Sequence, residues 1–148
     1  PTVDPFQVGI VRNEPQDIIP EVTVDYWFRQ NDVGNHANSR DYFNTVANDK
    51  FNNIDEGDTS KKSFERLHRW RYSPTAAYGN NEVHLHPYHP RRISIAEAVA
   101  LLSLPVWFEV LPTLSLSAKF KMVGNGVPYL LANGIAMELQ GWITKHMN

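Results

Sequence analysis

The sequence of 148 residues contains no cysteine. Without thiols the chain cannot form a disulfide, a thiolate metal site or a covalent intermediate on a cysteine nucleophile. It also lacks an apolar run as long as a membrane span and a segment of the secretory-signal type. These absences, together with 42% hydrophobic and 20% charged residues, favour a globular cytoplasmic protein with one buried core.

The chain has little excess charge of either sign, and its net charge is −2. This balance argues against a freestanding nucleic-acid-binding domain, because such domains are usually basic. A local exception lies between residues 61 and 71, which contain one acidic residue, Glu65, and five basic ones. The basic residues are Lys61, Lys62, Arg66, Arg69 and Arg71. Trp70, Tyr72 and Tyr78 are interleaved or follow, and aromatic rings beside cations suit a nucleic-acid surface. The alternative is a solvated face with Trp70 and Tyr72 in the core.

The composition changes near Pro90. Residues 1–90 are rich in Asn, Asp, Gly and Pro, and short β-branched or aromatic runs such as residues 22–28 predict strands between long loops. Residues 91–148 are richer in Leu and Ala and predict helices. We therefore predict an α+β fold, with an irregular, mostly β region over residues 1–90 and a helical segment over residues 91–148.

Three helix starts are visible in the second half of the chain. Ser94 and Glu97 form a capping-box pattern before a helix that Pro105 ends. A short helix is predicted over residues 115–122, and a last one begins near Pro128, because proline suits the first helical turn. The last helix carries an apolar face at helical spacing, formed by Leu131, Ile135, Leu139 and Trp142.

A Gly-Asn-Gly turn, residues 124–126, precedes the last helix. Two glycines allow close approach of a backbone or ligand, and a helix N-terminus favours a polar or anionic group. Simple loop geometry, with Asn125 capping the helix at Pro128, is the alternative interpretation.

Several motifs follow one another in a fixed order. Residues 73–81 read Ser-Pro-Thr-Ala-Ala-Tyr-Gly-Asn-Asn, residues 89–98 read His-Pro-Arg-Arg-Ile-Ser-Ile-Ala-Glu-Ala and run on to Leu104-Pro105, and residues 123–128 read Val-Gly-Asn-Gly-Val-Pro. In order and spacing they resemble the recognition loop and the ninth and tenth sequence blocks of DNA cytosine-5 methyltransferases. The upstream pairs Asn35-His36 (with Arg40) and Pro1-Thr2 are similar to weaker elements of the same family.

The ninth-block helix departs from the family pattern at three positions. Ala96 and Ala100 stand where the family usually has arginine, and Leu102 stands where glutamine is usual. The resemblance therefore implies a bracing role for this helix rather than a polar one.

The resemblance implies a portion of a DNA (cytosine-5-)-methyltransferase, of the kind found in restriction-modification systems. Such an enzyme transfers a methyl group from S-adenosylmethionine to C5 of cytosine in double-stranded DNA, after a thiolate adds to C6 of a base swung out of the duplex. The family's Pro-Cys-Gln nucleophile loop and Phe-x-Gly-x-Gly cofactor loop do not occur in this sequence. We therefore expect the chain to be inactive alone, and its helical segment to pack on an absent α/β catalytic domain, on the same polypeptide or in a separate subunit.

The same resemblance implies the site residues. The DNA contacts are expected from Arg69, Arg71, Thr75, Tyr78, Gly79, Asn80, Asn81, Arg91 and Arg92. Asn125 and Gly126 are expected beside the cofactor, and no catalytic residue is expected in the chain. Arg92 has an alternative role, in which an ion pair braces the recognition region against the ninth-block helix.

Two other functions stay open from the residues. The chain could be a freestanding, non-catalytic DNA-binding or partner-binding subunit. His84, His86 and His89 could form a three-imidazole metal site if the first two lie on one strand, with Glu82 the nearest carboxylate in sequence. Ser-His-Asp catalysis is disfavoured, because no nucleophile-elbow motif is present.

Overall fold

The computed structural model describes residues 4–8, 12–44, 51–61, 63–76, 78 and 83–147. Four α-helices have described bounds: α1 over Val24–Gln30, α2 over Ile95–Leu101, α3 over Leu116–Gly124 and α4 over Tyr129–His146. A 3₁₀ turn at Pro20–Val22 leads into α1. The three helices predicted in the second half of the chain are thus confirmed.

Three of the helices begin at a side chain that caps them. The hydroxyls of Thr23, Ser94 and Ser115 accept hydrogen bonds from backbone N–H groups in the first turns of α1, α2 and α3. At α2 the predicted capping box is complete, because the Glu97 carboxylate also accepts from the Ser94 N–H at 2.7 Å. Each cap satisfies backbone donors that a helix leaves unpaired at its start.

The prediction of a mostly β recognition region is wrong. Among the described residues there is no sheet, and extended pairing is limited to isolated bridges joining Asp4 to Glu56 and Leu85 to both Arg66 and Arg92. The run at residues 22–28, which we predicted as a strand, is mostly α1. Its apolar residues Val24 and Phe28 stand four apart and are both buried, so the run fits helical spacing behind the Thr23 cap.

Side chains replace a sheet in pairing the backbone of this region. The Arg66 guanidinium is fully buried and donates to four carbonyl groups, those of Phe51, Ile54, His86 and His89. Burial lowers the pKa of Arg66 to about 10. One cation thus ties three loop segments together where a ladder of backbone hydrogen bonds is missing.

The buried apolar residues form one cluster that draws on both halves of the chain. Val24, Phe28, Leu67, Tyr78 and Val83 come from the first half. The second half contributes the largest share, namely Ile93, Ile95, Ala98, Val99, Ala100, Leu102, Val110, Phe120 and Val123. Helix α2 lies inside this cluster, and its Ala96 and Ala100 are fully buried, so an arginine at either position would place a charge in the core.

Helix α4 is the exception to this packing. Every described residue of its 18 is exposed, including Leu131, Ile135, Leu139 and Trp142, the predicted apolar face. Among the described residues, the hydrogen bonds that attach it to the rest of the chain lie in its first turn. The Tyr129 N–H donates to the Leu102 carbonyl at 2.9 Å and the Leu130 N–H to the Ser103 hydroxyl at 3.0 Å. Within the described part of the chain, no helix combines the length and apolar character that crossing a membrane requires.

Candidate functional site

The basic stretch at residues 61–71 is divided between the interior and the surface. Arg69 is buried, and its guanidinium donates to both carboxylate oxygens of Glu56 at 2.8 and 3.0 Å while lying over the ring of Tyr88. The backbone N–H of Arg69 also donates to Glu56. Arg69 and the fully buried Arg66 therefore organise the fold, and the sequence did not reveal this because Glu56 lies 13 residues away.

The residues that reach the surface follow Arg69 in the sequence. Thr75 is exposed, Arg71 is half-buried, and the Tyr72 side chain is 78% exposed. Trp70 is half-buried, so of the aromatic residues we singled out, Tyr72 is the one that presents its ring to solvent. The predicted site residues Gly79, Asn80 and Asn81 lie outside the described residues, as do Pro1, Thr2 and Lys62.

Arg91 and Arg92 both brace the interior. Arg91 donates to the two carboxylate oxygens of Glu97 on α2 at 2.8 and 2.7 Å. Burial alone would lower the pKa of Arg91, but these hydrogen bonds outweigh it and raise the pKa, while they hold the pKa of Glu97 well below its usual range despite burial. Arg92 is buried and donates to the Val83 carbonyl at 2.6 Å. Arg91 thus makes an ion pair to α2 of the kind that we considered for Arg92.

Tyr78 lies in the core. Its side chain is 4% exposed, and its ring meets those of Phe120 and His84 edge to face at 5.6 and 5.5 Å between centroids. Burial raises the pKa of its hydroxyl, which has no hydrogen-bond partner among the described residues. The buried phenol is not positioned to contact DNA directly. Tyr78 therefore anchors the predicted DNA-reading loop instead of contacting a base.

The Gly-Asn-Gly turn joins α3 to α4. The N–H of Asn125 donates to the Lys121 carbonyl at 3.1 Å, which ends α3, and the Asn125 side chain is exposed. No side chain caps α4 from Pro128, so Asn125 does not play the capping role we considered. Instead the Ser103 hydroxyl accepts from the Leu130 N–H at 3.0 Å. No sequence pattern pointed to Ser103, which lies 27 residues before its partner.

Both glycines of the turn are closely approached by other atoms. A Cβ atom on Gly124 would lie 3.0 Å from the backbone nitrogen and 3.1 Å from the Cβ of Tyr78. A Cβ on Gly126 would lie 3.0 Å from the Val123 carbonyl oxygen and 3.1 Å from Cδ1 of Leu102. Gly124 thus lies against Tyr78 of the predicted DNA-reading loop, one residue before the predicted cofactor-side residues Asn125 and Gly126.

His84 and His86 have different carboxylate partners, and the His86 and His89 rings lie 4.4 Å apart between centroids. His84 Nε2 lies 3.3 Å from Glu65, whereas His86 Nε2 lies 3.4 Å from Glu97 and its Nδ1 accepts from the N–H groups of Tyr88 and His89. Burial lowers the pKa of both His84 and His86 to about 4. In the part of the chain that the structure describes, no three potential ligands are grouped to hold a metal ion.

Comparison with known proteins gives the family of this arrangement. Residues 12–141 match the family described as C-5 cytosine-specific DNA methylase. The chain is 57% identical over 141 residues to the type II methyltransferase M.NmeDI of Neisseria meningitidis serogroup C, an alignment that covers 95% of this chain and 34% of that protein. It is 42% identical over 50 residues to the type II methyltransferase M.AplI of Arthrospira platensis, covering 34% of this chain and 14% of that protein.

Nearly all of this chain aligns with M.NmeDI, and the chain therefore spans about a third of the length of that relative. No solved structure shows significant similarity to it. The family match covers the Arg91–Glu97 brace, the Gly124–Gly126 turn and most of α4, so the geometry described above is that of a family segment. The chain belongs to the C-5 cytosine-specific DNA methylase family.

Proposed function

We propose that this chain is the DNA-recognition and C-terminal portion of a DNA (cytosine-5-)-methyltransferase that acts on double-stranded DNA in the cytoplasm. The observation that carries the proposal is α4, an 18-residue helix with an apolar face that is exposed along its whole length directly after the Gly-Asn-Gly turn. An exposed apolar surface of this size marks a binding site for another protein segment. The family membership favours the catalytic domain as that segment.

The chemistry divides between the two parts. The family reaction needs a thiolate, and a chain with no cysteine must receive it from a segment outside these 148 residues. S-adenosylmethionine supplies the methyl group when bound. Asn125 fits a place beside it, because its exposed carboxamide can both donate and accept hydrogen bonds and is not used to cap α4. Gly126 contributes by leaving the turn free of a side chain.

On the DNA side, the exposed or partly exposed residues are assigned to contact. Thr75 and Arg71 are the described members, and Gly79, Asn80 and Asn81 complete the loop by sequence. Arg and Asn side chains can recognise guanine and adenine edges, and a glycine allows close approach to a phosphate. Arg69, Arg92 and Tyr78 act indirectly in this proposal, since their burial suits them to shape the surface rather than to touch the duplex. Arg91 is half-buried, and it acts indirectly because its guanidinium is held by both carboxylate oxygens of Glu97.

The first experiment tests methyl transfer by parts. The isolated chain, incubated with S-adenosylmethionine and duplex DNA, is expected to give no 5-methylcytosine, and co-expression with the matching catalytic segment is expected to restore it. Methylation by the isolated chain would contradict the proposal. So would a failure of the combined parts to methylate any cytosine-containing duplex.

A second experiment tests the reading loop in the combined enzyme. The substitutions Thr75→Val and Asn80→Ala each remove a polar group that can bind a base edge, so each should lower discrimination between target and altered duplexes by about 1–3 kcal/mol. Thr113→Val is the matched control, because Thr113 is exposed in a loop outside the proposed surface. Unchanged sequence preference in both loop variants would remove these residues from the reading surface.

A freestanding DNA-binding or partner-binding subunit is the second candidate, in which the exposed face of α4 would bind a separate protein. The two candidates differ in where the catalytic segment is encoded. Sequencing the reading frame upstream of Pro1 separates them, because only the first requires a Pro-Cys-Gln loop in the same frame.

A further inference from the structure

The contact between Gly124 and Tyr78 is made by backbone atoms. The Cβ position of Gly124 faces the nitrogen, the Cβ and the Cα of Tyr78 at 3.0, 3.1 and 3.4 Å. A flexible side-chain tip could move aside from an added methyl group, whereas a backbone can only move together with its neighbours. Any residue other than glycine at position 124 must therefore shift either the turn or the loop by a few tenths of an ångström.

The Tyr78 side of the contact cannot yield easily. Its ring lies between Phe120 on α3 and His84, and all three side chains are buried. Thr75 is exposed three residues before this anchor, and Asn80 follows it by two. The position of the backbone at Tyr78 thus constrains where the exposed Thr75 lies on the surface.

The Gly124 side leads directly to the proposed cofactor residues. Gly124 is the last residue of α3, and Asn125 follows across a single peptide bond, with its N–H held by the Lys121 carbonyl. A displacement of the Gly124 backbone is therefore passed to Asn125 without an intervening flexible linker. The phenol of Tyr78 contributes no hydrogen bond to this connection among the described residues, so the connection is steric.

We propose that Gly124 and Tyr78 are positioning residues that couple DNA reading to cofactor binding, so that a correctly seated target duplex strengthens cofactor binding through their backbone contact. This inference rests on the proposed function, because it needs the loop at residues 73–81 to read DNA and the turn at residues 124–126 to lie beside the cofactor. Coupling of this kind is reciprocal: bound cofactor also favours the loop position that fits the target.

The test uses the complete enzyme that contains this chain and its catalytic segment. The dissociation constant of S-adenosylhomocysteine is measured under three conditions. These are no DNA, a duplex that carries the target sequence of the enzyme, and a duplex altered at one base pair of that sequence. Coupling between two sites in a protein typically corresponds to an affinity ratio of about 5–150-fold. We define the ratio as the dissociation constant without DNA divided by that with DNA. In wild type it is expected to fall in this range for the correct duplex and to be smaller for the altered duplex.

In Gly124→Ala the ratio is expected to fall at least about fivefold, toward unity. The matched control is Gly34→Ala, which makes the same chemical change where no heavy atom lies within 4 Å, and it should keep the wild-type ratio. Tyr78→Leu is the second variant, since it leaves Gly124 unchanged but removes the ring that anchors the loop, and it should also lower the ratio. Thermal unfolding of each variant establishes that the folded protein is being compared.

The outcomes separate the inference from the proposed function. A folded Gly124→Ala enzyme with the wild-type ratio overturns the inference, as does an equal loss in Gly34→Ala. The inference is also overturned if the wild-type enzyme methylates its site but has a ratio of one, so that DNA does not change the affinity for the cofactor product. If wild type fails to methylate DNA at all, the proposed function itself is wrong.

Discussion

Asn38 binds Val110 through both ends of its carboxamide: Oδ1 accepts from the Val110 N–H at 2.9 Å and Nδ2 donates to the Val110 carbonyl at 3.0 Å. The two residues are 72 positions apart. Nearby, Asn31 donates to the Leu104 carbonyl, and His36 pairs with that of Phe108. The loop that carries the Asn-His element thus supplies the hydrogen bonds that the segment after α2 would otherwise lack.

Replacing Asn38 by aspartate should destabilise the fold. The substitution keeps the acceptor for the Val110 N–H but sets a carboxylate oxygen against the Val110 carbonyl and against Asp41, to which Nδ2 now donates at 2.8 Å. Because both groups are acceptors, we expect a loss of about 2–3 kcal/mol in the free energy of unfolding, measured by urea denaturation. Asn52→Asp, at an exposed position, should stay within about 0.5 kcal/mol of wild type. Equal effects at both positions would contradict this account.

Glu56→Gln should destabilise the chain by removing the buried carboxylate that the Arg69 guanidinium contacts through both oxygens. Both side chains are buried, and breaking a buried pair from one side typically costs about 3–5 kcal/mol. The midpoint of urea unfolding measures the effect, and Glu138→Gln on the exposed α4 is the matched control. A Glu56→Gln variant as stable as the control would show that Arg69 is not held by this pair.

Stability should fall as the pH is lowered from 7 to 5. Burial lowers the pKa of His84 and His86 to about 4, below the value of about 6.5 in an unfolded chain. Between these values the unfolded state binds more protons, so stability is fully present above pH 6.5 and is lost toward the folded pKa. This corresponds to about 2 kcal/mol for each histidine between pH 7 and 5.

The lowered pKa of Glu97 acts in the same direction but at lower pH, because its contribution is lost only as the pH falls below the unfolded value of 4.5. Urea midpoints at pH 7, 6 and 5 separate the two effects. His84→Gln should reduce the loss of stability between pH 7 and 5 by its own share of about 2 kcal/mol. A midpoint independent of pH in wild type would contradict the burial of neutral imidazoles.

Tyr78→Phe should raise stability slightly. The hydroxyl of Tyr78 is buried without a hydrogen-bond partner among the described residues, so its removal ends a desolvation penalty and leaves the ring in place. We expect a gain of about 1 kcal/mol, seen as a higher midpoint of thermal unfolding. Tyr129→Phe, whose side chain is exposed, should leave the midpoint unchanged. A lower midpoint in Tyr78→Phe would mean that the hydroxyl has a stabilising partner.

The isolated chain should self-associate through α4. Its apolar face is exposed, and burying such a face against a second copy removes it from water. Sedimentation velocity is expected to show dimers or larger species. The double variant Ile135→Lys/Leu139→Lys should sediment as a monomer, whereas Asn133→Lys/Gln140→Lys should behave as wild type. A monomeric wild-type chain would indicate that α4 is covered in another way.

Local signals in the sequence were reliable for the helices of the second half. Ser94 with Glu97, Ser115, and Pro128 mark helix starts through contacts within a few residues, so they depend little on the rest of the fold. The same reasoning failed at residues 22–28, because β-branched and aromatic residues favour strands only weakly and the Thr23 cap with buried Val24 and Phe28 favours a helix.

By itself the sequence determined the family, the helix starts, the Gly-Asn-Gly turn and the lack of a thiol. The first three depend on short local motifs, and the last depends on composition alone. Only the tertiary structure decided which cations are interior. Arg69 and Arg91 read as surface charges until Glu56 and Glu97 are brought to them. It also decided that Gly124 meets the backbone of Tyr78, since a contact between residues 46 positions apart depends on how α3 packs and leaves no mark in the local sequence.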